Sequence, residues 1–372
     1  MRLLPLLLLL LILLILIYYL YVPNRENDGE KLSDYILIQI EQLSDSDFGG
    51  FYWWMHQVAC AVKIANHNNK KVLVYFNKGA YWDDTRPGNS WWHYYFDLPV
   101  PITEEQMKLI EYALKYKQYK VITSFDLGTG GRKGGLYPPG DKMHLYKVKE
   151  TFTNLMREKM YDTEMVYKSF LKLNDSVIDV FDNFCKMNGI NFDDQLFLGL
   201  HYRGTDKWFC YGQDEDLEKN EHLDYKHVAD SVKKIIDEIE LKENKRRVHI
   251  YVCSDEQPFV NYIQNVFERV YTFDAFRSPI NTSGVKLSDN VNVSETDNTE
   301  DGRNLAFFVS TAIHRGFKDV SPYKKGLDAV IDVLCLSKCK YFIRCQNGNF
   351  SSQPKKWNPE IIEIDLPEKI VI

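Results

Sequence analysis

Short apolar runs recur along the chain, and most lead into a stretch of helical periodicity. The first such unit is "DYILIQIEQLSDSDFGGFYWWMHQVACAVKIANHNNKKVLVYF". Tyr35–Ile40 reads as a strand, Gly49 and Gly50 as a loop, residues from about Phe51 to Ala65 as a helix, and Val72–Phe76 as a second strand. That is a βαβ unit. Glycines at its helix start either let backbone N–H groups approach a ligand or simply make a tight turn. Residues 81–99, aromatic and punctuated by Pro and Gly, read as an irregular surface segment, whose aromatics could stack on sugar faces although core packing is the commoner reason for such residues. Val121–Phe125 is a candidate strand, and 127–140 a glycine-rich loop without the Gly-Lys-Ser/Thr ending of a phosphate loop. Helical periodicity occupies 145–188.

A second α/β half begins near Gln195. Its expected strands are Leu196–His201, Val248–Cys253, Val270–Phe273 and Lys340–Cys345. Its expected helices cover about Tyr225–Leu241, a segment after Ser254, and Gly326–Ser337, with a polar loop over 278–303. Alternating strands and helices predict parallel sheets. Two such halves predict an α/β fold of two facing Rossmann-like domains, with a ligand cleft at the strand C-termini. We divide the chain into 1–24, an apolar leader; 25–33, a short stem; 34–194 and 195–355, the two α/β domains; and 356–372, an extension.

The leader changes the picture most. Leu3 to Val22 is almost unbroken aliphatic, about the twenty residues a helix needs to cross a bilayer. A cleavable signal has a shorter apolar region, about 7–15 residues, and an A-x-A-like site that is absent here. Tyr18, Tyr19 and Tyr21 stand where an interfacial aromatic belt would. The expectation is one N-terminal transmembrane helix, a type II signal anchor with the body in a Golgi or ER lumen, the alternative being an atypical cleaved signal. Of the 372 residues 45% are hydrophobic and the net charge is −6, with no basic run interleaved with aromatics, so nucleic acid is not an expected partner. The seven cysteines have no metal spacing, and their odd number leaves at least one thiol unpaired within the chain; Cys253 and Cys345 lie in strand-like runs. Asn174, Asn281, Asn292 and Asn349 head N-x-S/T sequons, which matter in a eukaryotic lumen.

Three strands of the second half end in polar clusters: His201–Lys207, Ser254-Asp255-Glu256 and Asn347–Gln353. Strand ends of one parallel sheet share a rim, so Arg203, Asp255, Ser351 and Ser352 would converge there. An Arg fork suits a pyrophosphate, serine hydroxyls and loop N–H groups add neutral donors, and a carboxylate suits a ribose diol or a base N–H. Separately, each has an ordinary reading as a surface ion pair, a helix cap or a turn. Asp214-Glu215-Asp216 spells D-x-D, but its hydrophilic flanks fit a solvated charge run, and no histidine spacing suggests a metal. G-x-S-x-G is absent.

"HYRGTDK" (201–207) resembles the H-x-R-R-T-D-K motif of the α1,6-fucosyltransferase family. The glycine loop and its helix, "YVCSDEQPFV", and "KGLDAVIDVLCLSKCKYFIRCQNGNFSSQ" are similar to further family segments in the same order, over roughly residues 48–76 and 195–355. The resemblance implies a GT-B-like fold, GDP-fucose as donor, inversion at the anomeric carbon, and no metal or other cofactor; the expected acceptor is a glycan or glycoprotein, whose identity the resemblance does not carry over. It also implies that Arg203 holds the β-phosphate with Ser352 beside it, flanked by Ser351 and Gln353. His201 and Asp332 would face the guanine, Asp255 would be a further donor-site carboxylate, Gly49 and Gly50 would line the phosphates, and Lys207 would lie near the reaction centre. Two positions depart from the family. Its second motif arginine is Gly204 here, and the glutamate proposed there as the base falls on Tyr211, leaving Glu215 and Glu218 as candidate bases. A protein O-fucosyltransferase, another GT-B transferase, and an inactive nucleotide- or glycan-binding anchor protein stay open as alternatives.

Overall fold

The computed structural model describes residues 34–40, 50–67, 69–116, 119–122, 143–148, 171–204, 224–279, 320–345 and 350–366. The expected membrane helix and stem, Gly49, Lys207, Tyr211, Glu215 and Glu218 lie outside them. Among the described residues no helix is long and apolar enough to cross a membrane.

Two parallel sheets form the body. In the first, strands β1 (Tyr35–Ile40), β2 (Lys71–Tyr75), β3 (Tyr119–Ile122) and β4 (Met143–Val148) stand in the order β2-β1-β4-β3. Helix α1 (Phe51–His67) makes the crossover from β1 to β2, and α2 (Glu104–Lys115) precedes β3. Helix α2 starts at a reciprocal cap: Thr103 accepts from the Gln106 N–H, and the Gln106 side chain accepts from the Thr103 N–H.

The second sheet contains β5 (Leu196–Tyr202), β6 (Val248–Ser254), β7 (Val270–Tyr271), β8 (Tyr341–Arg344) and β9 (Ile362–Ile364), in the order β7-β6-β5-β8-β9. Every residue of β5 is buried, as expected for a central parallel strand covered on both faces. Leu196, Leu198, Leu200 and Tyr202 join a core with the apolar stripes of α4 (Tyr225–Lys242) and α5 (Gln257–Val266). Phe197 turns the other way, toward α6 (Pro322–Lys338). Gly199 allows that helix in close: a Cβ there would sit 3.0 Å from Leu336 and 3.3 Å from Cys339. Helix α3 (Asp175–Asn188), assigned by the sequence division to the first domain, lays Phe184 against Tyr251 and Phe273 of the second half. The α6-side core is continuous with the first half through Ile36, Phe51 and Val74.

The structure corrects two expectations. Residues 81–99 are irregular but not a surface segment: Trp91, Trp92, Tyr95 and Phe96 are at most 1% exposed. A 3-10 turn at Trp91–Tyr94 folds them inward, and the Trp91 and Trp92 indole N–H groups donate to the Lys78 and Leu98 carbonyls. This satisfies the polar edge that would otherwise resist burial. Residues 145–148 continue strand β4 rather than opening a helix, because pairing with β1 wins over local periodicity. Helix α2, helix α7 (Gln353–Trp357) and strand β9 were not anticipated.

Candidate functional site

In the second sheet the chain builds outward from β5 to β6 and β7, then returns to place β8 on the other side of β5. The strand order reverses between β5 and β8, and in such sheets the crevice beyond the carboxyl ends at this point is where ligands bind. The residues leaving β5 are His201, Tyr202, Arg203 and Gly204; those following β8 lead to Phe350, Ser351, Ser352 and Gln353. The Cys345 N–H donates to the His201 carbonyl at 3.0 Å, which keeps the two strand ends together.

Phe350 is the hub of the crevice. The His201 ring stacks on it (4.7 Å, 18°), and Tyr52 meets it edge-on (5.1 Å, 88°). Tyr52 lies in the first turn of α1, and its phenol donates to the Ala329 carbonyl of α6 at 2.6 Å. The beginning of α1 in the first half thereby meets the β5 end and the 350–353 turn of the second. Ser351 and Gln353 are buried, Ser352 and Arg203 half-buried. Gly50 immediately precedes α1, and a Cβ there would meet nothing within 4 Å. Behind this junction, burial and then the charge of Lys356 lower the His56 pKa to about 4, so the ring is neutral near pH 7.

The Asp255 carboxylate faces β5 rather than open space, accepting the Gly204 N–H at 2.8 Å. Glu256 follows it, fully buried, and accepts the Tyr225 phenol at 2.5 Å. A Cβ on Gly204 would overlap the Glu256 carboxylate, which accounts for glycine at this position of the motif. The segment after β7 is tied to the same strand end, with the Ser278 N–H donating to the Asp255 carbonyl at 2.8 Å.

Asp332, on α6, is buried under the β5–β6 rim. Its carboxylate accepts the Tyr251 phenol at 2.7 Å, and Arg277 lies 3.9 Å from its other oxygen. Strand register puts Tyr251 opposite Gly199 and Cys253, whose thiol also hydrogen-bonds with Asp332, opposite His201. Desolvation raises its pKa, opposed by the Arg277 charge. Arg277 also donates to Thr272 Oγ1 and to the carbonyls of Phe273 and Ala275. One turn earlier on α6, Asp328 accepts the Phe276 N–H and the Lys324 ammonium. Helix α6 thus pins 272–277 against the rim.

The structure therefore joins His201 to the 350–353 turn through Phe350, with Ser351, Ser352 and Gln353 following that ring, and with Arg203 and Gly50 each two residues along the chain from His201 and Tyr52. It places Asp255 behind the Arg203–Gly204 turn and Asp332 in an internal ion network. Tyr52, Phe350, Glu256 and Arg277 were not singled out in the sequence. Phe350 and Tyr52 carry no charge or motif spacing to announce them, whereas the acidic pair Asp255-Glu256 was visible and only half used. Among the described residues no group of three or more His, Cys, Asp or Glu is arranged to hold a metal ion.

Two parallel sheets make an α/β fold of two Rossmann-like halves, with polar residues at the strand ends beside the switch point of the second. Among solved structures, the chain is similar to POFUT1 in complex with GDP, with TM-score 0.54 and 9% identity over 91% of this chain and 99% of that one. It is also similar to NodZ alpha-1,6-fucosyltransferase soaked with GDP-fucose (TM-score 0.48, 11% identity, 89% and 94% covered). A third similar structure is fucosyltransferase NodZ from Bradyrhizobium (TM-score 0.47, 11% identity, 88% and 92% covered). No family model matches the sequence, and no curated protein matches it significantly.

Proposed function

We propose that the chain is an inverting fucosyltransferase that moves fucose from GDP-fucose to a glycan or glycoprotein acceptor without a metal ion. The observation that carries this is the switch-point crevice, in which the β5 end with His201 and Arg203 meets the Phe350–Gln353 turn and the start of α1. The whole-chain fold similarity to POFUT1 bound to GDP supports the same placement.

In this reading the Arg203 guanidinium grips the β-phosphate, and Ser352 with neighbouring N–H groups adds neutral donors. The acceptor hydroxyl oxygen attacks the fucose anomeric carbon on the face opposite GDP. The bond to the β-phosphate oxygen breaks, GDP leaves with the electron pair, and a carboxylate takes the hydroxyl proton. A fixed cation and dipoles stabilise the leaving charge where it develops. Glu215 or Glu218 is our choice of base, because a phenol such as that of Tyr211, with an ordinary pKa of about 10, is a poor base near neutrality. On the motif resemblance we assign Lys207 to the neighbourhood of the reacting centre. We further propose residues 1–24 as the anchor, which puts the body in a Golgi or ER lumen, and an α1,6 linkage from the motif resemblance.

Full-length protein in detergent, titrated with GDP and GDP-fucose in EDTA, tests the donor site. Binding only with Mn²⁺ would remove the metal-free mechanism, and no binding at all would remove the function. Transfer to a panel of N-glycans, chito-oligosaccharides and folded peptides then identifies the acceptor. Glu215→Gln and Glu218→Gln should include one variant that loses transfer but keeps GDP affinity.

A further inference from the structure

Gly204 is not a glycine for backbone reasons, since its φ lies outside the left-handed region. What it lacks is room. A Cβ there would overlap Glu256 Oε1 and Cδ and lie 2.6 Å from Oε2. A terminal carboxylate can often swing away from such an overlap, but this one is held. Glu256 is 0% exposed, its carboxylate accepts the Tyr225 phenol at 2.5 Å, and its N–H donates to Ser254 Oγ at 3.0 Å. Moving it would break a buried hydrogen bond and leave polar atoms without their partner. Asp255 takes the Gly204 N–H at the same point.

Two consecutive acidic side chains therefore grip one glycine, Asp255 by its N–H and Glu256 by the volume a side chain would occupy. The residue gripped directly follows Arg203. Glu256 also binds Tyr225, the first residue of α4, so the same carboxylate is held from that helix. Resting on the donor-site reading above, we infer that Glu256 is a positioning residue for Arg203. Gly204 and Glu256 form one steric unit in place of a second motif arginine: the carboxylate fills the space, fixes the turn and so sets where the Arg203 guanidinium starts.

The test is a double-mutant cycle on the full chain, read by GDP affinity and separately by ligand-free Tm. Gly204→Ala is expected to weaken GDP about tenfold, because the extra methyl has to displace a held carboxylate. Adding Glu256→Ala makes room and is expected to restore affinity to within about threefold of wild type, a strongly non-additive result. Gly204→Ala with Glu256→Gln, which keeps the bulk, should not recover. Tyr225→Phe, which frees the carboxylate without adding bulk at 204, should also weaken GDP. Additive losses in the cycle overturn the inference. So does a Gly204→Ala protein with lowered Tm but unchanged GDP affinity, since that describes a merely structural contact. A wild-type chain that binds no GDP refutes the donor reading by itself. Non-additive recovery of Tm would then show the steric unit standing without it, and additive Tm changes would overturn the unit too.

Discussion

Gly326→Ala tests how the two halves are joined. Gly326 lies in α6, where alanine should be the better residue by about 1 kcal/mol on helix propensity alone. The structure argues the opposite. A Cβ at 326 would overlap the Tyr95 phenol oxygen and Cζ and lie 2.9 Å from Cε2. Tyr95 has nowhere to go: it is 0% exposed, stacks on Tyr323 (5.6 Å, 3°), and donates to the Tyr323 carbonyl at 2.9 Å. Arg86 lies over the Tyr323 ring at 3.4 Å and helps hold the stack. Overpacking a tight core costs about 1–3 kcal/mol, and the Tyr95 hydrogen bond is worth about 1 kcal/mol more if it breaks. Subtracting the propensity gain leaves a net loss of about 1–3 kcal/mol. Thermal unfolding should show this as a lower Tm, by about 2–4 °C per kcal/mol for domains of some 150–250 residues. Tyr95→Phe should not rescue the variant, since the ring carbons remain in the way. A Gly326→Ala protein as stable as wild type, or more so, would refute the reasoning and show that Tyr95 can leave its seat at no cost.

Arg203→Lys keeps the charge but loses the planar fork, and should reduce transfer by about 10²–10³ with Tm unchanged; normal turnover would take Arg203 out of the donor site. His56, with its pKa lowered to about 4, favours folding above its ordinary value of 6.5 and loses that contribution as pH falls toward 4, so acidification from pH 7 to 5 should cost about 2 kcal/mol through this group. Asp332, whose pKa is raised, acts in the opposite sense, contributing below the ordinary Asp range and less as pH rises. The measurement is therefore the wild-type slope against His56→Gln, and equal slopes would discard the assignment. Asn174 caps α3 through the Val177 N–H and donates its side-chain amide to the His93 and Tyr94 carbonyls, so its sequon should stay unglycosylated in a eukaryotic lumen, by mass spectrometry. Asn174→Ala should cost about 0.5–2 kcal/mol as a lost cap.

The second half was the more legible part, for a physical reason. Strands such as β5 and β6 are buried on both faces, so they appear as apolar runs bounded by polar rims. Helices α4 and α5 each present one apolar stripe to a single core, which is the pattern periodicity detects. Legibility failed where structure depends on distant partners. Strand β4 exists through pairing with β1 and β3, and β9 is a short edge strand whose strand partner among the described residues is β8. The aromatic segment 81–99 is built from residues that suit either a wet surface or a core. What decided was whether each polar edge found a carbonyl, as Trp92 found Leu98 and Tyr94 found Asp83.

The same distinction runs through the candidate site. Charged and hydroxylated residues at strand ends point to a shared rim because parallel topology puts every strand end on one side; His201, Arg203 and the 351–353 turn were readable on that ground alone. Position along the chain does not say which way a rim carboxylate turns. Asp255 turns to a backbone N–H two residues past the end of β5, Glu256 to a phenol, and Asp332 to a phenol beside a buried arginine. A buried carboxylate persists only where donors meet it, and those donors come from Gly204, Tyr225, Tyr251 and Arg277, three of them more than fifty residues from their partner in the chain. Acidic residues at such a rim thus divide into those that hold the strand ends and those left to meet a ligand. For Asp255 and Asp332 the fold itself supplies those donors, so a place at the strand ends does not by itself make either of them a ligand group.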